Sequence, residues 1–123
     1  MIYTSYFGNL KNLSDKYIPI SIARWTPKWY KGLRYSKLAP NLTLLTWWRK
    51  SDKTQKDKDF YKLAFLKHLT TLNPHKIALE LNDKCNGKIP VLICFEKPGD
   101  FCHRHIVAEW FRANRIKCEE IKN

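Results

Sequence analysis

Apolar and polar positions divide the chain into a few short strand-like runs and longer stretches with a helical repeat. Ile2 to Phe7 is rich in β-branched and aromatic residues, the composition of a strand. Ile18, Ile20 and Ile22 alternate along Ile18 to Arg24 and predict a second strand, with Pro19 near its start where a strand tolerates it. Pro90-Val91-Leu92-Ile93-Cys94-Phe95 is apolar without a break and bounded by turn residues. Such a run predicts a strand buried on both faces.

The helical repeat is clearest from about Asp59 to Leu72. Tyr61, Ala64, Phe65, His68 and Leu72 there share one face, and His68 reads as a core histidine with its hydrogen bond satisfied. Asn73-Pro74 supplies an N-cap and a first-turn proline for the next helix, which buries Ile77, Ala78 and Leu81, runs to about Lys84 and stops at Asn86-Gly87. A further helix spans about Phe101 to Asn114, with Ile106, Val107, Trp110 and Phe111 turned inward. Weaker signals predict a short helix over Leu42 to Arg49 capped by Asn41, a long loop over residues 25–40, an exposed polar loop over residues 51–59, and an edge strand over Ile116 to Ile121.

Strand, helix, strand at the C-terminal end is a βαβ unit, whose crossover is right-handed. The pattern predicts one α/β domain over residues 1–123, with a mainly parallel sheet of about four strands and helices on both faces. A chain of 123 residues buries enough surface for one core.

Charge alters this ordinary picture. The 23 Lys and Arg residues against 11 Asp and Glu leave a formal net charge of +12, a field that concentrates polyanions at the surface. Nucleic acid, nucleotides and acidic lipid are the candidates such a charge suggests, beside a basic surface kept only for solubility; a nucleotide or nucleic acid, and no membrane, is the expected partner. No apolar run is long enough to span a membrane, and the first residues lack the features of a signal peptide, so the expected setting is the cytoplasm. The four cysteines then read as thiols rather than disulfides, and none form a Cys-x-x-Cys pair.

Candidate chemistry concentrates in Cys94 to His105. Ligands of open α/β sheets bind beyond the carboxyl ends of the strands, and this segment follows the buried strand. Pro98-Gly99 turns the chain, and Asp100 is the expected cap of the helix that follows. The free N–H groups of a first helical turn attract anions, and Arg104 adds a planar fork of donors suited to phosphate. Arg24, after the second strand, is expected to join them. Glu96 is a candidate general acid or base, Cys102 a candidate nucleophile near a helix N-terminus, and His103 a candidate proton shuttle.

Each has a plainer alternative. Cys94 and Cys102 suit the core, Arg104 suits a pair with Glu96 or a carbonyl, and one of His103 and His105 must face away from any shared ligand. A zinc site from Cys94, Cys102, His103 and His105 has suitable residue types, but its spacings fit no common pattern. No metal or cofactor is therefore expected.

A second region, Arg24 to Tyr35, interleaves cations with aromatics. Trp25, Lys28, Trp29 and Tyr30 are its candidates for stacking on bases and following phosphates, unless the tryptophans only cover the core. Trp47-Trp48-Arg49-Lys50 repeats the mixture, while Lys53 to Lys58 reads as a solvated loop.

The string Leu92 to Trp110 closely resembles the signature of the domain of unknown function 488 family: an apolar strand, then Cys, a residue, Glu and Lys, an acidic turn, Cys-His-Arg and an apolar helix. Cys94, Glu96, Lys97, Cys102, His103 and Arg104 match it. Ile2 to Phe7, Pro19 to Trp25 and Pro27 to Tyr30 are also similar to short members of that family. The resemblance implies an α/β fold and a site at the Cys-His-Arg turn, and supplies no reaction. Three functions are thus open: an enzyme acting on a nucleotide or nucleic acid, a non-catalytic nucleic-acid-binding module, and a small-molecule or thiol-redox-sensing domain.

Overall fold

The structure is a computed structural model that describes residues 1–122. Strands β1 (Ile2–Tyr6), β2 (Tyr17–Ser21), β3 (Leu33–Arg34), β4 (Ile89–Cys94) and β5 (Cys118–Glu120) form one sheet. Their order is β3-β2-β4-β1-β5, and every neighbouring pair is parallel. The α/β class holds, with five strands in place of about four. The additional strand is β3, two residues inside the expected loop, where Ile20 pairs with Leu33 and Ser21 with Arg34. Two residues are too few to leave a periodic signal.

Four α-helices complete the fold: α1 (Leu42–Lys50), α2 (Gln55–Leu69), α3 (Pro74–Asp83) and α4 (His103–Ala113). Asn41 caps α1 through the Leu44 N–H, and Asn73 caps α3 through those of His75 and Lys76. Helix α2 starts before the expected Asp59. Thr54 accepts from the Asp57 N–H while Asp57 accepts from the Thr54 N–H, a reciprocal cap that starts a helix inside the charged segment.

Alternation along the strands sorts side chains onto two faces. Ile2, Ile20, Ile22 and Leu92 lie in the larger core, under residues of all four α-helices, including Leu44, Phe65, Leu81 and Phe111. Val91 and Ile93 face the other way and pack with Phe7 and Tyr30. Helical cover on that second face is a 3₁₀ segment, Phe7–Asn12, supplemented by the loop after β2. The central strand β4 is thus buried on both sides, as its unbroken apolar run requires. No helix among the described residues is long and apolar enough to cross a membrane.

In a wholly parallel sheet all carboxyl ends point one way. Those of β1, β2 and β4 are adjacent, so residues 6, 22 to 25 and 94 to 104 meet along one edge.

Candidate functional site

Between the carboxyl ends of β2 and β4 lies a cleft of about 310 Å³. Trp25, Trp48, Tyr61, Phe95 and Phe101 give it aromatic walls. Arg24, Arg49 and Lys53 supply cations, and Glu96 is the one carboxylate among its lining residues. The Arg49 guanidinium lies over the Trp25 ring at 4.5 Å, and the Lys53 ammonium over Trp48 at 5.3 Å, so cation and aromatic come in pairs. Tyr61 is buried, and its phenol is pushed up by that burial and by the Glu96 charge nearby.

Glu96 reaches the cleft because the chain leaves β4 in an exposed loop. The Asp100 N–H donates to the Lys97 carbonyl at 3.1 Å, closing a turn with Pro98 and a left-handed Gly99 (φ 91°) inside it. Helix α4 then starts at His103 rather than Phe101, and its cap position is Cys102, with no side chain accepting from the first turn. The expectation that Asp100 caps this helix is corrected. Asp100 closes the turn with its backbone N–H and stands two residues before the cap position.

Arg104 also departs from its expected role. It is wholly buried, and its donors are engaged within the fold. Nε and Nη2 reach the two oxygens of Glu120 at 3.0 and 2.9 Å, and Nη1 reaches the Glu96 carbonyl at 2.6 Å and Cys94 Sγ at 3.3 Å. Thr4 donates to Glu120 as well, and the Tyr6 ring lies 6.0 Å from the guanidinium. Arg104 is therefore a tie between the Glu96 loop and strand β5. The cations left exposed at the cleft are Arg24, Arg49 and Lys53.

The cysteine and histidine expectations are corrected in the same way. Cys94 and Cys102 form a disulfide, with S–S 2.10 Å, so Cys102 offers no free thiol in this state. The expectation of four thiols fails because the turn folds Cys102 back onto the end of β4. Cys85 and Cys118 are free and buried. His103 is buried, and its Nε2 lies 2.7 Å from the Ile22 carbonyl. A carbonyl only accepts, so Nε2 carries the proton and Nδ1 presents a lone pair, 4.0 Å from Cys102 Sγ. Burial pushes the imidazole down to about 4 against the opposing pull of the Ile22 bond, so His103 is neutral near pH 7 and does not shuttle a proton there. His105 lines a separate groove behind Cys102, beside Asp100 and Glu109.

The basic aromatic loop divides. Arg24 and Trp25 line the cleft. Lys28 is exposed on an adjoining groove that Trp25 also lines. Trp29 is 60% exposed, with its ring edge-on to Phe7. Tyr30 is buried and donates its hydroxyl to the Leu33 carbonyl at 2.6 Å, so it braces the loop and is not available to stack on a base.

Trp48, Arg49, Lys53, Tyr61, Phe95 and Phe101 went unassigned to any site. For Trp48 and Arg49 the aromatic-cation mixture of Trp47 to Lys50 is a signal in the sequence; the other four carry none. Lys53 lies in the exposed loop expected for it, between α1 and α2, but it is held there. Its backbone is left-handed (φ 55°), and its ammonium donates to the Trp48 carbonyl at 3.2 Å.

A family model described as "DUF488-N3a: Active DUF488-N3 subclade" matches residues 7–115. No curated protein and no solved structure matches the chain.

Proposed function

The chain belongs to the DUF488 family, and from the geometry of its cleft we propose that it binds a nucleotide unit, free or within a single strand, and acts on it through Glu96. The observation that carries this reading is the pairing of cations with aromatic faces around one carboxylate. In this reading a base stacks on an aromatic wall of the cleft, such as Trp25 or Trp48, while Arg24, Arg49 and Lys53 hold the phosphate. The net charge of +12 brings such anions to the surface. Glu96 takes the general acid or base role because it is exposed at the cleft, whereas Cys102 is buried and His103 Nε2 is held by the Ile22 carbonyl. The family description calls the subclade active and names no reaction, which agrees with a working site here. A cytoplasmic setting supplies ligands of this class.

The test is a titration of the full chain with nucleoside monophosphates and short single-stranded oligonucleotides, followed by tryptophan fluorescence. Saturable quenching that weakens steeply with salt is expected. Trp25→Ala and Arg49→Ala should each weaken binding by about tenfold, in line with base stacking worth about 1–3 kcal/mol. Glu96→Gln should bind normally and abolish turnover of any ligand that the wild type converts. No binding at low salt, or binding that ignores both substitutions, overturns the proposal. If Glu96→Gln leaves turnover intact, the catalytic half fails and a binding module remains.

A further inference from the structure

Beneath the floor of the cleft, Cys94, Cys102 and His103 each place one ligand-type atom within 4.8 Å of the others, and all three residues are buried. Helix packing alone does not require two sulfurs and an imidazole lone pair to converge. The imidazole is oriented from behind. Its Nε2 proton goes to the Ile22 carbonyl, which turns Nδ1 toward the sulfurs. A backbone carbonyl fixing one ring nitrogen so that the other can bind is the usual support of a metal-bound histidine.

Two further observations concern the sulfurs once they are reduced. Arg104 Nη1 lies 3.3 Å from Cys94 Sγ, and Cys102 stands at the cap of α4, so a guanidinium and a helix N-terminus each favour a thiolate. The Cα atoms of the pair are 7.5 Å apart. Most disulfides span about 4.4–6.8 Å between Cα atoms. A wider frame leaves room for two sulfurs, each at about 2.3 Å from a shared ion.

We propose that in the reduced protein Cys94, Cys102 and His103 hold a zinc ion, with a fourth position open toward the cleft that Cys94 and His103 line. Disulfide and zinc site are alternative states of the same two sulfurs. A phosphine reductant breaks the S–S bond by giving up two electrons and leaves as its oxide, with oxygen taken from water. The two protons of that water end on the two sulfurs. Zinc then replaces both protons, which pass to the buffer.

The experiment takes the full chain, reduced by a phosphine without oxygen, and titrates it with cobalt(II) as a spectroscopic stand-in for zinc. Expected are one ion per chain, thiolate-to-cobalt charge-transfer absorption, the intense d–d bands of a four-coordinate ion, and displacement by zinc. Cys94→Ser, Cys102→Ser and His103→Ala should each lower affinity by about tenfold or more, whereas Cys85→Ser and Cys118→Ser should not. A second measurement needs no substitution: the oxidised protein, whose two sulfurs are bonded to each other, should bind no zinc, whereas the reduced protein should bind one ion per chain, read by native mass spectrometry. Cobalt spectra without thiolate charge transfer, or equal zinc binding in the two states, overturn the proposal. No nucleotide enters either measurement, so failure here leaves the cleft reading standing, and failure of the cleft reading leaves the zinc site standing.

Discussion

Arg104 grips Glu120 with two parallel hydrogen bonds of 3.0 and 2.9 Å, and the guanidinium is sealed from solvent while the carboxylate keeps a partly exposed edge. Removing one partner strands the other charge. Arg104→Ala is expected to cost about 3–5 kcal/mol, the usual penalty for breaking a buried pair, read as a lower urea midpoint with an unchanged slope. Arg104→Lys should recover only part of it, since an ammonium cannot span both oxygens and the Glu96 carbonyl.

Acid should act on the same pair. Burial alone would raise the Glu120 carboxyl, but the Arg104 and Thr4 hydrogen bonds and the Arg104 charge outweigh it and hold the group below its ordinary value of 4.5. The folded state therefore takes up this proton less readily than the unfolded chain. Its contribution is complete above the ordinary value and is lost as pH falls through the depressed one. Urea midpoints measured from neutral to strongly acid pH should fall less steeply for Glu120→Gln than for wild type, on a lower plateau.

Tyr30 and Trp25 should separate stability from binding. Tyr30→Phe removes the bond to the Leu33 carbonyl and should cost about 1 kcal/mol with nucleotide affinity unchanged. Trp25→Ala, at a 44% exposed position, should leave the urea midpoint nearly unchanged and weaken binding. The reverse pattern would show that Tyr30, not Trp25, meets the ligand.

Thr54→Ala should cost about 1 kcal/mol, because it removes the side chain that accepts at the start of α2. Amide hydrogen exchange in the first turn of α2 should rise more than exchange in α3, whose cap at Asn73 is untouched.

Cys118 should be inert in the native protein. It is fully buried, and burial pushes its thiol up to about 12. Alkylation at mildly alkaline pH should therefore label it only after denaturant is added, which peptide mass will show.

How much was legible depended on where each signal sat. Strand β4 wrote itself into the sequence as an unbroken apolar run because both of its faces are covered. Helices α1 and α3 carried readable caps at Asn41 and Asn73. The start of α2 did not, since Thr54 and Asp57 look like any polar loop until their reciprocal bonds are drawn. The Cys94 to His105 segment was rightly placed at the sheet edge, but its internal division of labour was not readable. Arg104 looks like a phosphate ligand because its partner, Glu120, lies sixteen residues on in the weakest strand signal. Likewise, nothing local to Trp48 or Tyr61 says that two different helices present them to one cleft. Contacts between distant segments decide those roles, and periodicity carries no record of them.

The strand order has a consequence for how the chain comes together in time. Tyr3 lies beside Val91, and Ile2 beside Cys118, so β1 waits for partners made some ninety and more residues later. Strand β2 likewise leans on β4, and only the two-residue β3 is near it in sequence. No hairpin is available to start the sheet. Such a topology folds slowly for its size, because loop-closure entropy is lost before any strand pair forms. During synthesis, the first two thirds of the chain can form helices but has no central strand to gather them. β1, with Tyr3 and Tyr6, and β2, with Ile18 and Ile20, are exposed without β4 in that interval, and aggregation, rather than instability of the finished molecule, is where this protein is most vulnerable.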